Sequence, residues 1–545
     1  MNKIRQKIGK FIILVGLTIA IVLAGYSLYA NDSPEHSQIA INCGSASGGE
    51  TDNPIASRYG KSTYPWTDEI QWQCVYNIQD FSGNTTIDRF KAARDAAATN
   101  GGGVVYFPAG VYEFADRIAL TNGVVLRGEN PAVADAKLED YDPPTKLIFP
   151  KYEPQFSGNG TPNETAFKKI STIAPDRDSN IGLVNLEIDR ASINLVGNLE
   201  TGEQHNRIVF GVRNNNVAQP EQKVPDLSFQ EPWMRYSSRF AANLKVNAIQ
   251  NILVANNRIN DAITDTYEQP GYRVKSVDGK SVITYVQGDR VPFSYTNHYG
   301  IVVNRSGQFD KAGTPENEPS LFRPGVTIRD NWVYHTMRVA ISASGKGLVI
   351  QDNQIKDEPN KQWWTHPNGT REAKPSVTLE NRAIDWSGWN VTVEGNQYEV
   401  YRHQIRDTKY LSVDGEGILI QECCGGTTVN GATIAGNTGN SYIALYKVQD
   451  INDVQILENT ISDNMSNDSA IFVMADTNNQ AYSMNNVIIE GNLLDGGILT
   501  IAKAGGEGNI IENNQGNDRG KLKYSCHVTV KNNTGFQQQD CIEAL

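Results

Sequence analysis

The chain has 545 residues, more than one ordinary compact core holds, so it forms either several domains or one elongated, repetitive fold. Its formal net charge of -12 removes the general basic field on which nucleic-acid binding depends. With 48 glycines and short, alternating apolar runs, the composition favours strands joined by tight turns over long helices.

The N-terminus has the layout of an export signal. Basic residues within the first ten positions precede an apolar run that extends to about Ala30. This order predicts a secreted protein, extracellular or periplasmic, cleaved after Ala24 or Ala30. The apolar run is also nearly long enough to remain as a membrane anchor. The resulting division is a signal peptide or signal anchor over 1–30, an N-terminal extension over 31–84 and the main domain over 85–545.

All six cysteines follow residue 30, where an oxidising compartment would allow them to pair. Cys43 with Cys74 and Cys526 with Cys541 would form one clip at each end, although spacing alone does not determine connectivity. Buried free thiols are the alternative. The adjacent cysteines at 423–424 lack a second Cys or His pair at zinc spacing, so we expect a strand end there and no zinc site.

A helix is predicted over residues 86–99 (TIDRFKAARDAAAT), because this stretch has helical spacing and is rich in alanine. Thr85 or Thr86 is available as its N-cap. A repetitive fold exposes an apolar end that must be covered, and we expect this helix to cover it.

Downstream, one pattern recurs: an apolar-alternating strand ends in asparagine and is followed by another apolar strand. The closest repeats are 22 residues apart, as between Asn331 and Asn353, and longer steps carry loops. A coil of this length is too short for a βαβ unit but accommodates three short strands. We predict a parallel β-helix with its asparagines stacked in a hydrogen-bonded ladder. The ladder positions are Asn257, Asn331, Asn353, Asn396, Asn437, Asn459, Asn492 and Asn533.

The segments Gly101 to Phe114 (GGGVVYFPAGVYEF) and Ile118 to Asn130 (IALTNGVVLRGEN) resemble the first coils of the pectate-lyase-like superfamily, in particular its rhamnogalacturonase/epimerase-type branch. The resemblance implies an all-β protein, a right-handed single-stranded parallel β-helix with an N-terminal capping helix. It covers about residues 76–130, and the asparagine coils extend it to about 535. It implies no single activity, since the superfamily includes lyases, hydrolases, epimerases and phage-type depolymerases.

The chain also departs from the family pattern. The family often has a Gly-Asp-Gly run and paired aspartates before the capping helix, whereas residues 81–88 (FSGNTTID) contain the single acid Asp88. The polygalacturonase signatures Asn-Thr-Asp, Asp-Asp, Gly-His-Gly and Arg-Ile-Lys are missing from the sequence. We therefore do not expect hydrolysis by that particular machinery.

Four consecutive strand starts can be aligned on an inward-pointing isoleucine, and the alignment collects charged residues over the middle coils. Neighbouring strands would lie about 4.8 Å apart. The loops near these strands are long, and long loops on a rigid scaffold often carry binding function. The aligned segments are HYGIVVN (298–304), RVAISAS (338–344), NRAIDWS (381–387) and GEGILIQ (415–421). The alignment places His298 and Arg338 in one column and Arg382 and Glu416 in the next, with Asp385 outward and His335 in the adjoining turn.

Two kinds of chemistry fit these residues. A uronate lyase needs a base, and a cation or Ca²⁺ to neutralise the substrate carboxylate, for which Arg338 and His335 are the candidates, with Glu416 orienting Arg338 or acting as an acid. A glycoside hydrolase needs two carboxyl groups across the scissile bond, and Asp385 with Glu416 would be that pair. The residues assigned to substrate binding are His298, Arg382, Trp363 and Trp364. The two tryptophans would either stack on sugar rings or cover the flank of a coil.

The sequence therefore predicts a secreted carbohydrate-active enzyme, with a polysaccharide lyase acting by β-elimination as the first hypothesis. The alternatives are a glycoside hydrolase, an epimerase and a non-catalytic carbohydrate-binding or structural solenoid. The charged residues would then be surface charges that pair across coils. The expected partner is a polysaccharide, with no nucleic acid, membrane contact only through an uncleaved N-terminus, and a monomeric state. Metal ligands and cofactors stay open, Ca²⁺ included.

Overall fold

The computed structural model describes residues 43, 70–115, 118, 120–148, 179–189, 193–196, 241–247, 250–260, 267–277, 280–293, 298–303, 324–334, 339–356, 363–365, 371–373, 381–400, 403–404, 412–413, 415–421, 428–462, 469–477, 480–537 and 539–543. The chain divides into two compact units, 1–44 and 45–545, and everything below except Cys43 concerns the second. The predicted signal or anchor at 1–30 lies outside the described residues. Within those residues, no helix is long and apolar enough to cross a membrane.

Parallel strands form three faces along the domain, each strand pairing with the equivalent strands of neighbouring coils. Face 1 precedes the asparagine turn, and its strands are Val75–Asn77, Gly103–Phe107, Val124–Gly128, Ser179–Val184, Gln250–Ala255, Val326–Arg329, Val349–Gln351, the second half of Asn381–Glu394, Val429–Ala435, Ile451–Leu457, Met484–Glu490, Ile510–Glu512 and Thr529–Lys531. Face 2 follows that turn and contains Gly110–Glu113, Thr145–Ile148, Glu187–Asp189, Arg258–Asn260, Trp332–Tyr334, Gln354–Lys356, Gln397–Glu399, Thr438–Gly439, Thr460–Ile461 and Leu493–Leu494.

Face 3 completes each coil and contains Ile193–Val196, Ala241–Asn247, His298–Val303, Val339–Lys346, the first half of Asn381–Glu394, Gly415–Gln421, Ile443–Val448, Ser469–Thr477, Gly497–Ala502, Leu522–Ser525 and Gln539–Ile542. Strand Asn381–Glu394 pairs within both face 3 and face 1, so these two faces belong to one sheet. Face 2 is a separate sheet. This topology is a parallel β-helix, and the all-β fold prediction is confirmed.

Antiparallel hairpins occur in the connections between faces. Three of them form small sheets of their own: Tyr267–Val277 with Lys280–Phe293, Trp363–Thr365 with Arg371–Ala373, and His403–Gln404 with Ser412–Val413. The short strand Gln480–Ala481 folds back on the end of Ser469–Thr477. The first three hairpins each precede a strand of face 3.

The predicted helix spans Thr86–Thr99, with Thr85 as its N-cap. Asp88 completes a capping box: its carboxylate accepts from the Thr85 amide while the Thr85 hydroxyl accepts from the Asp88 amide. Phe90 of the helix is fully buried and packs against the rings of Phe107 and Phe114. The strand Val75–Asn77 already pairs with Gly103–Phe107, so the sheet includes residues upstream of the predicted boundary at 85.

The asparagine ladder is continuous and buried, as predicted. Asn331 is typical: its Nδ2 donates to the Val254 carbonyl at 2.9 Å and to Asn353 Oδ1 at 3.0 Å. Asn353 Oδ1 also accepts from the Asn331 amide at 3.0 Å. Asn331 and Asn353 therefore lie on adjacent coils, and each side chain satisfies backbone groups that a buried turn would otherwise leave unpaired.

The ladder has one member that the sequence pattern missed. Asn514 accepts from the side chain of Asn492 and donates to Asn533, so the interval between those two positions contains two coils. Its segment, NIIENNQG (509–516), has the same apolar-then-asparagine pattern as the other repeats.

The residue before each ladder asparagine has a left-handed backbone, which turns the chain from face 1 to face 2. These residues are Asn256, Asp330, Asp352, Gly395, Gly436, Glu458, Gly491, Asn513 and Asn532, with φ between 50° and 68°. Glycine, asparagine and aspartate tolerate this region best, which explains the recurring composition of the turn.

Residues 137–141 follow the first coils in sequence but contact later coils. Tyr141, 1% exposed, donates its hydroxyl to the Asn256 carbonyl, and Arg258 Nη1 donates to the Tyr141 carbonyl at 2.9 Å. Farther along, Lys137 Nζ lies 2.6 Å from Asp352 Oδ1. Residues 137–141 thus tie the start of the solenoid to coils that follow long insertions.

The C-terminal coil is closed by a disulfide between Cys526 and Cys541, one of the two predicted clips. Cys43 and Cys74 each take part in a disulfide as well. The cysteines at 423–424 lie outside the described residues. Disulfides are typical of proteins in oxidising compartments, in agreement with the predicted export.

Candidate functional site

Face 3 has the register that the sequence alignment predicted. Ile301 pairs with Ile341, Ile341 with Ile384, and Ile384 with Ile418. All four isoleucines are fully buried. In the same register Arg382 is the partner of Glu416 on one side and of Val339 on the other, and Asp385 is the partner of Ser342. Two neighbouring coils therefore bring Arg382, Asp385 and Glu416 together.

These three side chains form the acid–arginine cluster, defined as Arg382, Asp385 and Glu416. Arg382 Nε donates to Glu416 Oε2, and its Nη1 lies 3.7 Å from Asp385 Oδ2. The arginine side chain is only 2% exposed, whereas Asp385 and Glu416 are 15% and 19% exposed. A buried guanidinium requires charged partners. Here one arginine contacts two partly accessible carboxylates.

Tyr442, on the next coil, completes the contacts of Glu416. Its hydroxyl donates to Glu416 Oε1 at 3.0 Å, while Arg382 occupies Oε2. Both oxygens of this carboxylate thus accept hydrogen bonds. Glu416 is held in one orientation from two sides.

Tyr398 is linked through Ser441 to Gly415, the first residue of the strand that carries Glu416. It is 4% exposed, and its hydroxyl donates to the Ser441 carbonyl at 2.6 Å. Burial raises the pKa of this phenol far above its ordinary value, so it stays neutral. The Ser441 hydroxyl in turn donates to the Gly415 carbonyl. A Cβ at Gly439 would lie 2.1 Å from the Tyr398 ring. Glycine at this position therefore leaves the space that the ring occupies.

The remaining predicted site residues are described only in part or not at all. His335 and Arg338 lie outside the described residues, so their catalytic roles stay predictions. His298 begins the strand His298–Val303 and pairs with Ala241. Trp363 and Trp364 lie in the hairpin strand Trp363–Thr365, paired with Ala373 and Glu372. The substrate-binding roles of these three residues, and that of Arg382, remain predictions.

The sequence pattern of charged residues does not include Tyr442, although the strand register gives a signal for it. It directly precedes Ile443, which pairs with Ile418. Extending the isoleucine alignment by one coil places Tyr442 opposite Gly417, one residue after Glu416. Residues 443–448 (IALYKV) contain few charges, so a search for charged residues does not lead to this coil.

A metal centre is not evident in the described ranges, where no group of three or more His, Cys, Asp and Glu side chains is arranged to hold an ion. The guanidinium of Arg382, in contact with both acids, supplies positive charge beside them.

No family model matches the sequence, and no curated protein is similar to it in sequence. Among solved structures, the mannuronan C-5 epimerase AlgE6 A-module of Azotobacter vinelandii is 15% identical, over 86% of this chain and 96% of that one, with a TM-score of 0.38. A DFA-IIIase from Arthrobacter chlorophenolicus A6 is 9% identical, over 84% and 86%, with a TM-score of 0.36. PfbA, a surface adhesin of Streptococcus pneumoniae, is 12% identical, over 85% and 90%, with a TM-score of 0.33.

Likenesses this distant transfer no activity from those proteins to this one. The fold follows from the strand pairings of the chain itself, which repeat in register from Val75–Asn77 to Gln539–Ile542. The chain is a parallel β-helix protein with an acid–arginine cluster on one of its three faces.

Proposed function

We propose that the protein is an exported enzyme that cleaves a polysaccharide, and that it does so by hydrolysis at the acid–arginine cluster. The observation that carries this proposal is the placement of Asp385 and Glu416 on adjacent coils, against one guanidinium. Glycoside hydrolysis needs two carboxyl groups close enough to flank one glycosidic bond. Titratable groups gathered over a rigid scaffold are also a common mark of an active site.

The contacts suggest a role for each acid. Glu416 accepts hydrogen bonds at both oxygens, so it serves as the base or nucleophile. Asp385, whose Oδ2 lies 3.7 Å from Arg382 Nη1, is then the second carboxyl group that the reaction needs, and it serves as the acid. Asp385 protonates the glycosidic oxygen as the bond to the anomeric carbon breaks. In the inverting form of the reaction, Glu416 takes a proton from the water that attacks this carbon. The products are two shorter glycans, one with a new reducing end.

β-Elimination is the second candidate, because Val339, the residue that follows Arg338, pairs with Arg382. Arg338 and His335 would then neutralise the uronate carboxylate and exchange its α-proton. Arg382 itself is poorly suited to that task, since its guanidinium is buried and already engaged by two acids. The two carboxylates gathered at one guanidinium are the pair that glycoside hydrolysis needs, and we therefore place hydrolysis first.

Product chemistry separates these proposals. The purified full-length protein is incubated with neutral and uronate-containing polysaccharides, with and without a chelator. Hydrolysis releases reducing ends without new ultraviolet absorbance, whereas β-elimination creates an absorbing conjugated double bond. Reducing ends alone support hydrolysis, and matched absorbance overturns it in favour of a lyase. Binding without cleavage of any tested glycan would make the protein a carbohydrate-binding solenoid and contradict the enzymatic proposal.

A further inference from the structure

The connection between faces 2 and 3 at residues 440–442, which we call the corner, is bound to the coil that precedes it. Asn440 Nδ2 donates to the Val400 carbonyl at 2.8 Å, and Asn440 Oδ1 accepts from the Val400 amide at 2.9 Å. The buried hydroxyl of Tyr398 donates to the Ser441 carbonyl. The corner therefore has a fixed place relative to the preceding coil, which carries the acid–arginine cluster.

Two consecutive corner residues also bind the strand that carries Glu416. The Ser441 hydroxyl donates to the Gly415 carbonyl, and the Ile418 amide donates to the Tyr442 carbonyl at 3.2 Å. Between these two backbone contacts, the Tyr442 hydroxyl donates to Glu416 Oε1 at 3.0 Å. The contact with the carboxylate thus lies between two contacts that fix the main chain on either side of it.

The Tyr442 side chain is itself held in place. Its ring meets the ring of Phe472 edge to face, with centroids 5.2 Å apart. On the strand side, a Cβ at Gly417 would lie 2.5 Å from the Tyr442 carbonyl oxygen. Glycine at this position therefore allows the close approach of the corner to the strand of Glu416.

We infer that Tyr442 is a positioning residue that presents Glu416 Oε1 as the reacting oxygen. This inference rests on the proposed function and assigns the reacting atom of its base. Glu416 Oε2 is bound by the guanidinium of Arg382, which is only 2% exposed, whereas the Glu416 side chain is 19% exposed and Tyr442 is half-buried. The oxygen shared with Tyr442 is therefore the one on the more accessible side.

The hydroxyl of Tyr442 leaves Oε1 able to act as a base. A carboxylate oxygen has more than one lone pair, so Oε1 accepts from Tyr442 and still takes a proton from the attacking water. The O–H bond of the water breaks, a bond forms between its oxygen and the anomeric carbon, and Glu416 becomes a neutral carboxylic acid. Tyr442 keeps its own proton throughout, and its contribution is to orient the base before reaction.

Tyr442→Phe removes the hydroxyl and keeps the ring. Tyr482→Phe is the matched control, because the Tyr482 hydroxyl donates to Gln480 in a different connection. The kcat of the full-length variants is measured on a polysaccharide that the wild type cleaves, and their crystal structures locate the Glu416 carboxylate. We expect Tyr442→Phe to lower kcat about tenfold, as the loss of one hydrogen bond to a charged group does, with KM changed less than about twofold. Its Glu416 carboxylate should leave the wild-type orientation. Tyr482→Phe should match the wild type in both measurements.

A Glu416 carboxylate that keeps its wild-type orientation in Tyr442→Phe would overturn the inference. So would a wild-type kcat in that variant, and the hydrolase proposal would then stand without it. A melting temperature that falls while kcat and Glu416 stay unchanged would make the hydroxyl a structural contact only. If the wild type cleaves no glycan but Glu416 reorients in Tyr442→Phe alone, the positioning by Tyr442 stands and the hydrolase proposal fails.

Discussion

At the scale of single residues, the contacts of Arg382 make the acid–arginine cluster part of the fold as well as a candidate catalytic site. Its guanidinium is buried, so Glu416 and Asp385 stabilise the fold as well as lie ready for chemistry. Removing the charge of a close partner from a buried ion pair costs roughly 3–5 kcal/mol. Glu416, which contacts the guanidinium directly, is therefore the structurally sensitive acid, and Asp385 at 3.7 Å is the better probe of catalysis.

Each ladder asparagine stabilises the fold through its own set of buried hydrogen bonds. Asn353 donates to the Ile328 carbonyl and to Asn396 Oδ1, at 3.0 and 2.9 Å, and accepts from the Asn331 amide. Replacing Asn353 by Leu leaves these buried groups unpaired, so we expect a loss of roughly 1–3 kcal/mol in the free energy of unfolding. Equilibrium unfolding in urea measures it.

The control for this substitution is Gln397→Leu, at an exposed position directly after the next ladder asparagine. It should change the free energy of unfolding by less than about 0.5 kcal/mol. Equal unfolding midpoints for the two variants would show that the ladder does not stabilise the coils.

At the scale of elements, repetition made the fold predictable. The ladder positions, the helix at 86–99 and the face 3 register all follow from spacing, because each recurs or has its own local signal. Residues 137–141 could not be placed in this way. They are not part of the repeat, and their position depends on long-range contacts such as those of Tyr141 with Asn256 and Arg258.

The crossing segment should be held by Tyr141 rather than by Lys137. Tyr141→Phe removes the donor from a buried hydrogen bond, which costs roughly 1–2 kcal/mol. Lys137→Met breaks a salt bridge whose side chains are 30% and 25% exposed, worth less than about 1 kcal/mol. Thermal unfolding compares them. A larger loss for Lys137→Met than for Tyr141→Phe would show that the ion pair is the main attachment.

At the scale of the whole molecule, the repeated coils form the scaffold, and the charged residues that depart from the repeat pattern form the candidate site. The sequence predicted that Asp385, Arg382 and Glu416 would meet, because strand register alone determines which residues are neighbours. It did not predict that Arg382 would be buried between the acids, nor that Tyr442 would bind Glu416. Those outcomes depend on side-chain conformation and on packing by neighbouring coils, which a repeat pattern does not encode.

The most direct test of catalysis by the acid–arginine cluster is the kcat of Asp385→Asn on a polysaccharide that the wild type cleaves. We expect kcat to fall by roughly 10²–10⁴-fold, the contribution of a general acid. The free energy of unfolding should fall by less than for Glu416→Gln, because Asp385 lies 3.7 Å from the guanidinium whereas Glu416 is hydrogen-bonded to it. Glu394→Gln, an exposed acid on the same strand, should keep the wild-type kcat. Wild-type kcat in Asp385→Asn would contradict the proposal and leave the cluster as a structural ion pair.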